Sequence, residues 1–133
     1  EKGFRQALDG KNINATYLYT DNFHKNHAAT AFSRWLDQNE LPTSIFTTSF
    51  TLLEGVLLVL LQRQGHIPPQ LMIATFGHFE MLELLENAVI CSVQDYDKIS
   101  RSLLNLALNA LSKKHKNTVN TTPLMRKLVK YHC

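Results

Sequence analysis

The sequence predicts an α/β fold, a Rossmann-like parallel sheet with helices on both faces. Three observations predict it. Segments rich in β-branched, aromatic and aliphatic residues alternate with segments whose apolar residues recur at helical spacing. The strand segments are almost continuously apolar, which fits burial on both faces. The 133 residues, 44% apolar and 19% charged, are enough for one ordinary core.

Residues 1–9 read as the tail of a helix stopped at Asp9-Gly10. Residues 15–20, Ala-Thr-Tyr-Leu-Tyr-Thr, have the composition of a strand. Residues 24–38 place Ala28, Ala31, Phe32, Trp35 and Leu36 at helical spacing, and Pro42 ends that connection. Residues 44–48 predict a second strand. Residues 51–64 predict a helix apolar nearly all round, with Gly65 as its stop. After the loop His66-Ile67-Pro68-Pro69, residues 71–76 predict a third strand, 79–86 a short helix and 88–93 a fourth strand. A helix over 96–112 carries Ile99, Leu103, Leu106, Ala107, Ala110 and Leu111 on one face. Residues 113–122 are polar and loop-like, and 124–131 predict a final strand at an edge.

Composition narrows the function. The longest apolar run, Val56–Leu61, is far short of the ~20 residues of a membrane span. The chain opens on Glu-Lys-Gly-Phe, which is no signal peptide; it also lacks Met and begins in mid-pattern, so the true N-terminus is expected elsewhere. Cys91 and Cys133 have neither metal nor redox spacing and fit a reducing cytoplasm. The net charge is +3, and the basic residues gather late: Lys113, Lys114, His115 and Lys116, then Arg126, Lys127 and Lys130. They read as a solvated loop and a lysine-guarded edge strand rather than a nucleic-acid surface.

Open parallel sheets bind ligands beyond the carboxyl ends of their strands. Those ends carry Thr20-Asp21-Asn22-Phe23, Thr48-Ser49-Phe50, Gly77-His78 and Gln94-Asp95-Tyr96. Aromatic rings, hydroxyls, amides, a carboxylate and an imidazole together suit a polyhydroxylated ligand. Each residue also has an ordinary use: Ser49 or Thr51 can cap the helix it precedes, and Asp95 the helix at 96. Catalytic patterns are poor. There is no Gly-rich phosphate loop, no Gly-x-Ser-x-Gly turn and no helix-borne histidine pair with a glutamate. His24 and His27 lack a third metal ligand, and His78 lacks a nucleophile beside it. No catalytic residue, metal or cofactor is expected.

Four segments resemble one family. Glu1-Lys-Gly-Phe-Arg-Gln-Ala-Leu8 resembles the Arg-x-x-Gly-Phe-x-x-Ala-Leu helix of the lactose/galactose-repressor family. Residues 45–57 resemble its strand followed by an Ala-Leu-Gly helix. Residues 65–77, Gly-His-Ile-Pro-Pro-Gln-Leu-Met-Ile-Ala-Thr-Phe-Gly, resemble its Gly-x-x-Ile-Pro-x-Asp-x-x-Ile-x-Gly-Phe-Asp segment. Ser92-Val-Gln-Asp-Tyr96 resembles its return crossing between lobes. Together they span nearly the whole chain.

The resemblance implies one lobe of a periplasmic-binding-protein-like effector domain. Residues 1–93 would form the C-terminal lobe, 94–121 a crossover and helix belonging to an N-terminal lobe absent here, and 122–133 a returning strand. It implies a repressor that binds operator DNA as a homodimer, through a helix-turn-helix outside this sequence. A sugar or sugar phosphate between the lobes would control it. Phe23 matches the ring-stacking aromatic, Ser49 a position often Asn or Asp, and Gln94 and Tyr96 the cleft-lining crossing residues. Gly77 and His78 stand where acids are usual, which would ease binding of a phosphorylated hexose, a fructose phosphate first. The family's ligand arginine would lie just before Glu1. A dimer interface is expected at Leu53, Val56, Leu57 and Leu60. The helix at 96–112, without its home lobe, is expected to repack on another chain, swap or lie exposed. A periplasmic-type sugar-binding protein and, if His78 is catalytic, a small α/β enzyme stay open as alternatives.

Overall fold

The computed structural model describes residues 1–111 and 124–133. In chain order the elements are α1 (Lys2–Leu8), α2 (Lys25–Leu36), β1 (Ser44–Thr47), α3 (Phe50–Gln64), β2 (Met72–Phe76), a 3-10 helix (Glu80–Leu84), β3 (Val89–Val93), α4 (Tyr96–Leu111) and β4 (Lys127–Tyr131). The sheet runs β1-β2-β3-β4; the first three strands are parallel and β4 is antiparallel to β3. Thr47 pairs with Thr75, Phe76 with Ser92, and Val93 with Lys127.

α3 is the centre of the core. Ser49 caps it by accepting the Thr51 N–H at 3.2 Å, and Gly65, at φ 74°, ends it with its N–H on the Leu61 carbonyl. It is apolar nearly all round because it has two apolar neighbours, the sheet and α2. Gly55 permits the second contact: a Cβ there would run into the Lys25 carbonyl oxygen of α2's first residue. Phe32 of α2, Leu53 and Leu60 of α3, Ile73, Leu82, Val89 and Cys91 form the buried cluster. Beneath it the loop 68–71 is pinned by the buried Asn87. Its Nδ2 donates to the carbonyls of Pro68 and Leu71, each at 2.8 Å.

The expected dimer residues take part in this packing. Leu53, Val56, Leu57 and Leu60 are 0–8% exposed and face the chain's own core. The outward apolar residues of α3 are Phe50, Leu58 and Leu61.

The other face of the sheet is thinly covered. α1 reaches it at β1, where Phe4 stacks on Phe46 at 5.0 Å. Met72, Phe76, Ile90 and Leu128 on that side are exposed. Residues 15–20, expected as a strand, join no ladder. Their aromatics spend themselves on α1 instead: Tyr17 sets its ring edge-on to Phe4 and carries the Arg5 guanidinium 3.9 Å above it. Strand propensity is realised only through pairing, and here the side-chain contacts take its place. The short helix expected at 79–86 is a tighter 3-10 turn.

No residue of α4 is buried, and Leu103, Leu104, Leu106, Leu108 and Leu111 stand in solvent. β4 is the edge strand expected late in the sequence. The loop expected at 113–122, with the basic cluster 113–116, lies outside the described residues.

Candidate functional site

Because β1, β2 and β3 are parallel neighbours, their carboxyl ends form one edge. Ser49 follows β1, Gly77 follows β2 and Gln94 follows β3, so these three candidates come together by topology. The edge is tied crosswise: Gly77 donates its N–H to the Ser92 carbonyl at 3.0 Å. Gly77 has φ 93°, and a Cβ on it would lie 2.8 Å from Cδ1 of Phe50. Glycine is therefore required here twice, for backbone conformation and for space. Just inside the edge Thr47 and Thr75 share a buried hydroxyl bond of 2.8 Å.

Asp95 clamps the exit of β3. Its Oδ1 accepts the Lys98 N–H, capping α4, and its Oδ2 lies 3.1 Å from Lys127 Nζ at the start of β4. These contacts, Lys127 foremost, hold the carboxyl below the usual aspartate range. A shallow open depression at this clamp is lined by Val93, Gln94, Asp95, Tyr96, Asp97, Lys127 and Val129. Tyr96 itself is 64% exposed.

The remaining expected residues lie apart. Phe23 is 66% exposed on the bend before α2. Thr20 Oγ1 donates to the Asn22 carbonyl and Asn22 Oδ1 accepts the His24 N–H, which shapes that bend. No ring or polar contact among the described residues ties Phe23 to the sheet edge. His78 is committed elsewhere. Its Nε2 is 2.7 Å from the Tyr131 hydroxyl and 3.5 Å from Glu83, and its ring stacks on Tyr131. Burial first, and the Glu83 charge second, raise the Tyr131 phenol. His24 caps α2 through Nδ1, with the His27 ring 6.2 Å away.

One residue at the edge carried no sequence signal. Arg126 donates from Nε to Ser92 Oγ at 2.9 Å and from Nη2 to the Ser92 carbonyl at 2.7 Å. Its guanidinium lies 5.0 Å from the centroid of the Phe76 ring. In the sequence it is one basic residue among several; only the antiparallel pairing of β4 brings it to the carboxyl edge of the parallel strands.

No family model matches the chain. The catabolite repressor/activator of Salmonella typhimurium is 35% identical over 128 residues, 96% of this chain and 38% of that protein. The crystal structure of the Cra transcriptional dual regulator from Pseudomonas putida, in complex with fructose 1-phosphate, superposes with TM-score 0.82. It is 26% identical, over 96% of this chain and 47% of that one. A LacI-family regulator from Arthrobacter, in complex with lactose, has the same fold at TM-score 0.76 and 19% identity, over 96% of this chain and 47% of that one. By fold and sequence together, the chain is homologous to part of a LacI-family transcription regulator, in its periplasmic-binding-protein-like effector domain. Within that family the similarity runs to the catabolite repressor/activators, of whose length the chain spans 38%.

Proposed function

We propose that this chain supplies part of the effector cleft of a sugar-sensing transcription regulator, and that the effector is a phosphorylated hexose, a fructose phosphate first. The observation that carries the reading is the 35% identity to a catabolite repressor/activator across 96% of the chain. The fold supports it: the matched P. putida structure holds fructose 1-phosphate, and here Ser49, Gly77 and Gln94 share the edge where such sheets bind ligands.

In this reading Phe23 and Tyr96 supply the two exposed aromatic faces and Ser49 and Gln94 hydrogen bonds. Gly77 brings no negative charge to oppose a phosphate. His78 acts indirectly, by holding the loop after β2 against β4. Residues 1–93 and 122–133 belong to one lobe, and 94–121 cross to a second lobe outside this chain. The exposed leucines of α4 are the surface such a lobe would cover. Closure on the sugar changes operator affinity through a DNA-binding head, also outside this chain, in a cytoplasmic homodimer. No described helix is long and apolar enough to cross a membrane.

Titration calorimetry on the full-length protein tests this. Fructose 1-phosphate is expected to bind and to shift operator affinity in a gel-shift assay. Tight binding of a neutral sugar with none of its phosphate ester would overturn the choice of effector; no response to any sugar would overturn the reading.

A further inference from the structure

We propose that His78, Glu83 and Tyr131 form a pH-dependent latch between the loop after β2 and the strand β4, which tightens when His78 takes up a proton. The inference rests on the holding role given to His78 above and asks nothing of the effector. Three elements meet at one point. His78 follows β2, Glu83 lies on the 3-10 helix and Tyr131 ends β4. The Nε2 of His78 is 2.7 Å from the Tyr131 hydroxyl, that hydroxyl is 3.4 Å from Glu83 Oε1, and the same Oε1 is 3.5 Å from Nε2. The hydroxyl has one proton to give. Given to Nε2, it leaves the carboxylate without a donor. Given to Glu83, it requires a proton on Nε2, which then donates to the phenol oxygen, and all three groups are satisfied.

Protonation selects the second arrangement. A charged imidazole carries N–H on both nitrogens, so Nε2 can only donate. The direction of the chain is then fixed, and a full positive charge stands beside the Glu83 carboxylate. Tyr131 keeps its proton as the link, because burial first and the Glu83 charge second hold its phenol above the ordinary value. The groups that face the imidazole are Glu83 and Tyr131, and Cys91 of β3 acts on Tyr131. Among the described residues no lysine or arginine pairs with Glu83, so the histidine charge has no rival there. His78 is 26% exposed and Glu83 55%, so the pair is partly screened and its effect is modest. Histidine is the side chain that ordinarily titrates between pH 5 and 8. The charged pair therefore contributes on the acid side of that window, and its contribution is lost as pH rises through it. What it restrains is the segment from Gly77, tied to Ser92 at the sheet edge, to the 3-10 helix.

A double-mutant cycle tests the latch. Urea unfolding of the 133-residue chain is measured at pH 5.5 and pH 8.0 for the parent, His78→Gln, Glu83→Gln and the double variant. The other titrating groups are common to all four proteins and cancel in the cycle. The coupling of His78 to Glu83 is expected to change the unfolding constant about two- to five-fold at pH 5.5, and less than about 1.5-fold at pH 8.0. Equal coupling at the two pH values, or none at either, overturns the latch. If a variant does not unfold in one step, the His78 Hε1 resonance is titrated in the parent and in Glu83→Gln. A midpoint lowered by the substitution supports the latch, and an unmoved one overturns it. Tyr131→Phe is expected to destabilise the chain at both pH values; a variant as stable as the parent at both overturns the holding role as well. None of these outcomes touches the choice of effector, which the calorimetry with fructose 1-phosphate decides separately.

Discussion

Gly55→Ala should destabilise the protein, although alanine is the better helix former. The reason is the approach of α2 to α3. A Cβ at Gly55 would collide with the Lys25 carbonyl oxygen and lie 2.9 Å from the Ala29 nitrogen and 3.0 Å from the Ala28 Cβ, where ordinary contact begins at 3.4 Å. Two of the three obstacles are backbone atoms, so the helices must part by roughly half an ångström or more along a face that buries Phe32 and Leu53. Overpacking of this kind costs about 1–3 kcal/mol. Helix propensity returns up to about 1 kcal/mol. The net is a loss of about 1–2 kcal/mol, or a fall in Tm of about 3–8 °C for a domain of this size. Gly3→Ala is the control: it too lies in a helix, but nothing stands within 4 Å of its Cβ. It should be neutral or gain up to about 1 kcal/mol. Thermal and urea unfolding followed by circular dichroism at 222 nm would measure both. A Gly55→Ala variant as stable as the parent would refute the reasoning, because it would mean that α2 does not sit where the contact requires.

Asn87→Ala should cost about 2–3 kcal/mol in urea unfolding, because it leaves two carbonyls at the Pro68–Leu71 loop without their buried donor; a change below 0.5 kcal/mol would show that water replaces it. Acid should loosen the exit of β3. The folded Asp95 carboxyl is held below its unfolded value, so its contribution is present in full above about pH 4 and is lost as pH falls through the lowered value. Asp95→Asn should mimic that loss at neutral pH and remove the acid step, read as the exchange protection of the Lys98 and Ile99 amides.

Most strands were legible in the sequence because each is short, apolar and bounded by turn residues. The strands at β1, β2, β3 and β4 lie within one to three residues of the expected limits. What pattern could not convey is partnership. Residues 15–20 have strand composition, but composition says nothing of who pairs with them, and α1 claims their rings. The all-round apolar face of α3 was visible; that α2 covers its far side depends on Gly55, a single atom's absence. His78 was found by its place after β2, yet its direction is set by Tyr131, 53 residues away. Arg126 was invisible for a similar reason. An antiparallel β4 places it at the carboxyl edge of the parallel strands, whereas a parallel one would have sent it to the opposite edge.

The pairing of Val93 with Lys127 has a consequence for how the fold is assembled. The two residues are adjacent in the sheet, and Asp95 and Lys127 clasp at the same point. Everything between them is therefore an insertion whose two ends meet. Closing so long an excursion costs roughly 2 kcal/mol more chain entropy than a four-residue turn would. The parent architecture carries that surcharge for whatever the excursion does. In topological terms β3 and β4 are an interrupted hairpin into which α4 has been spliced.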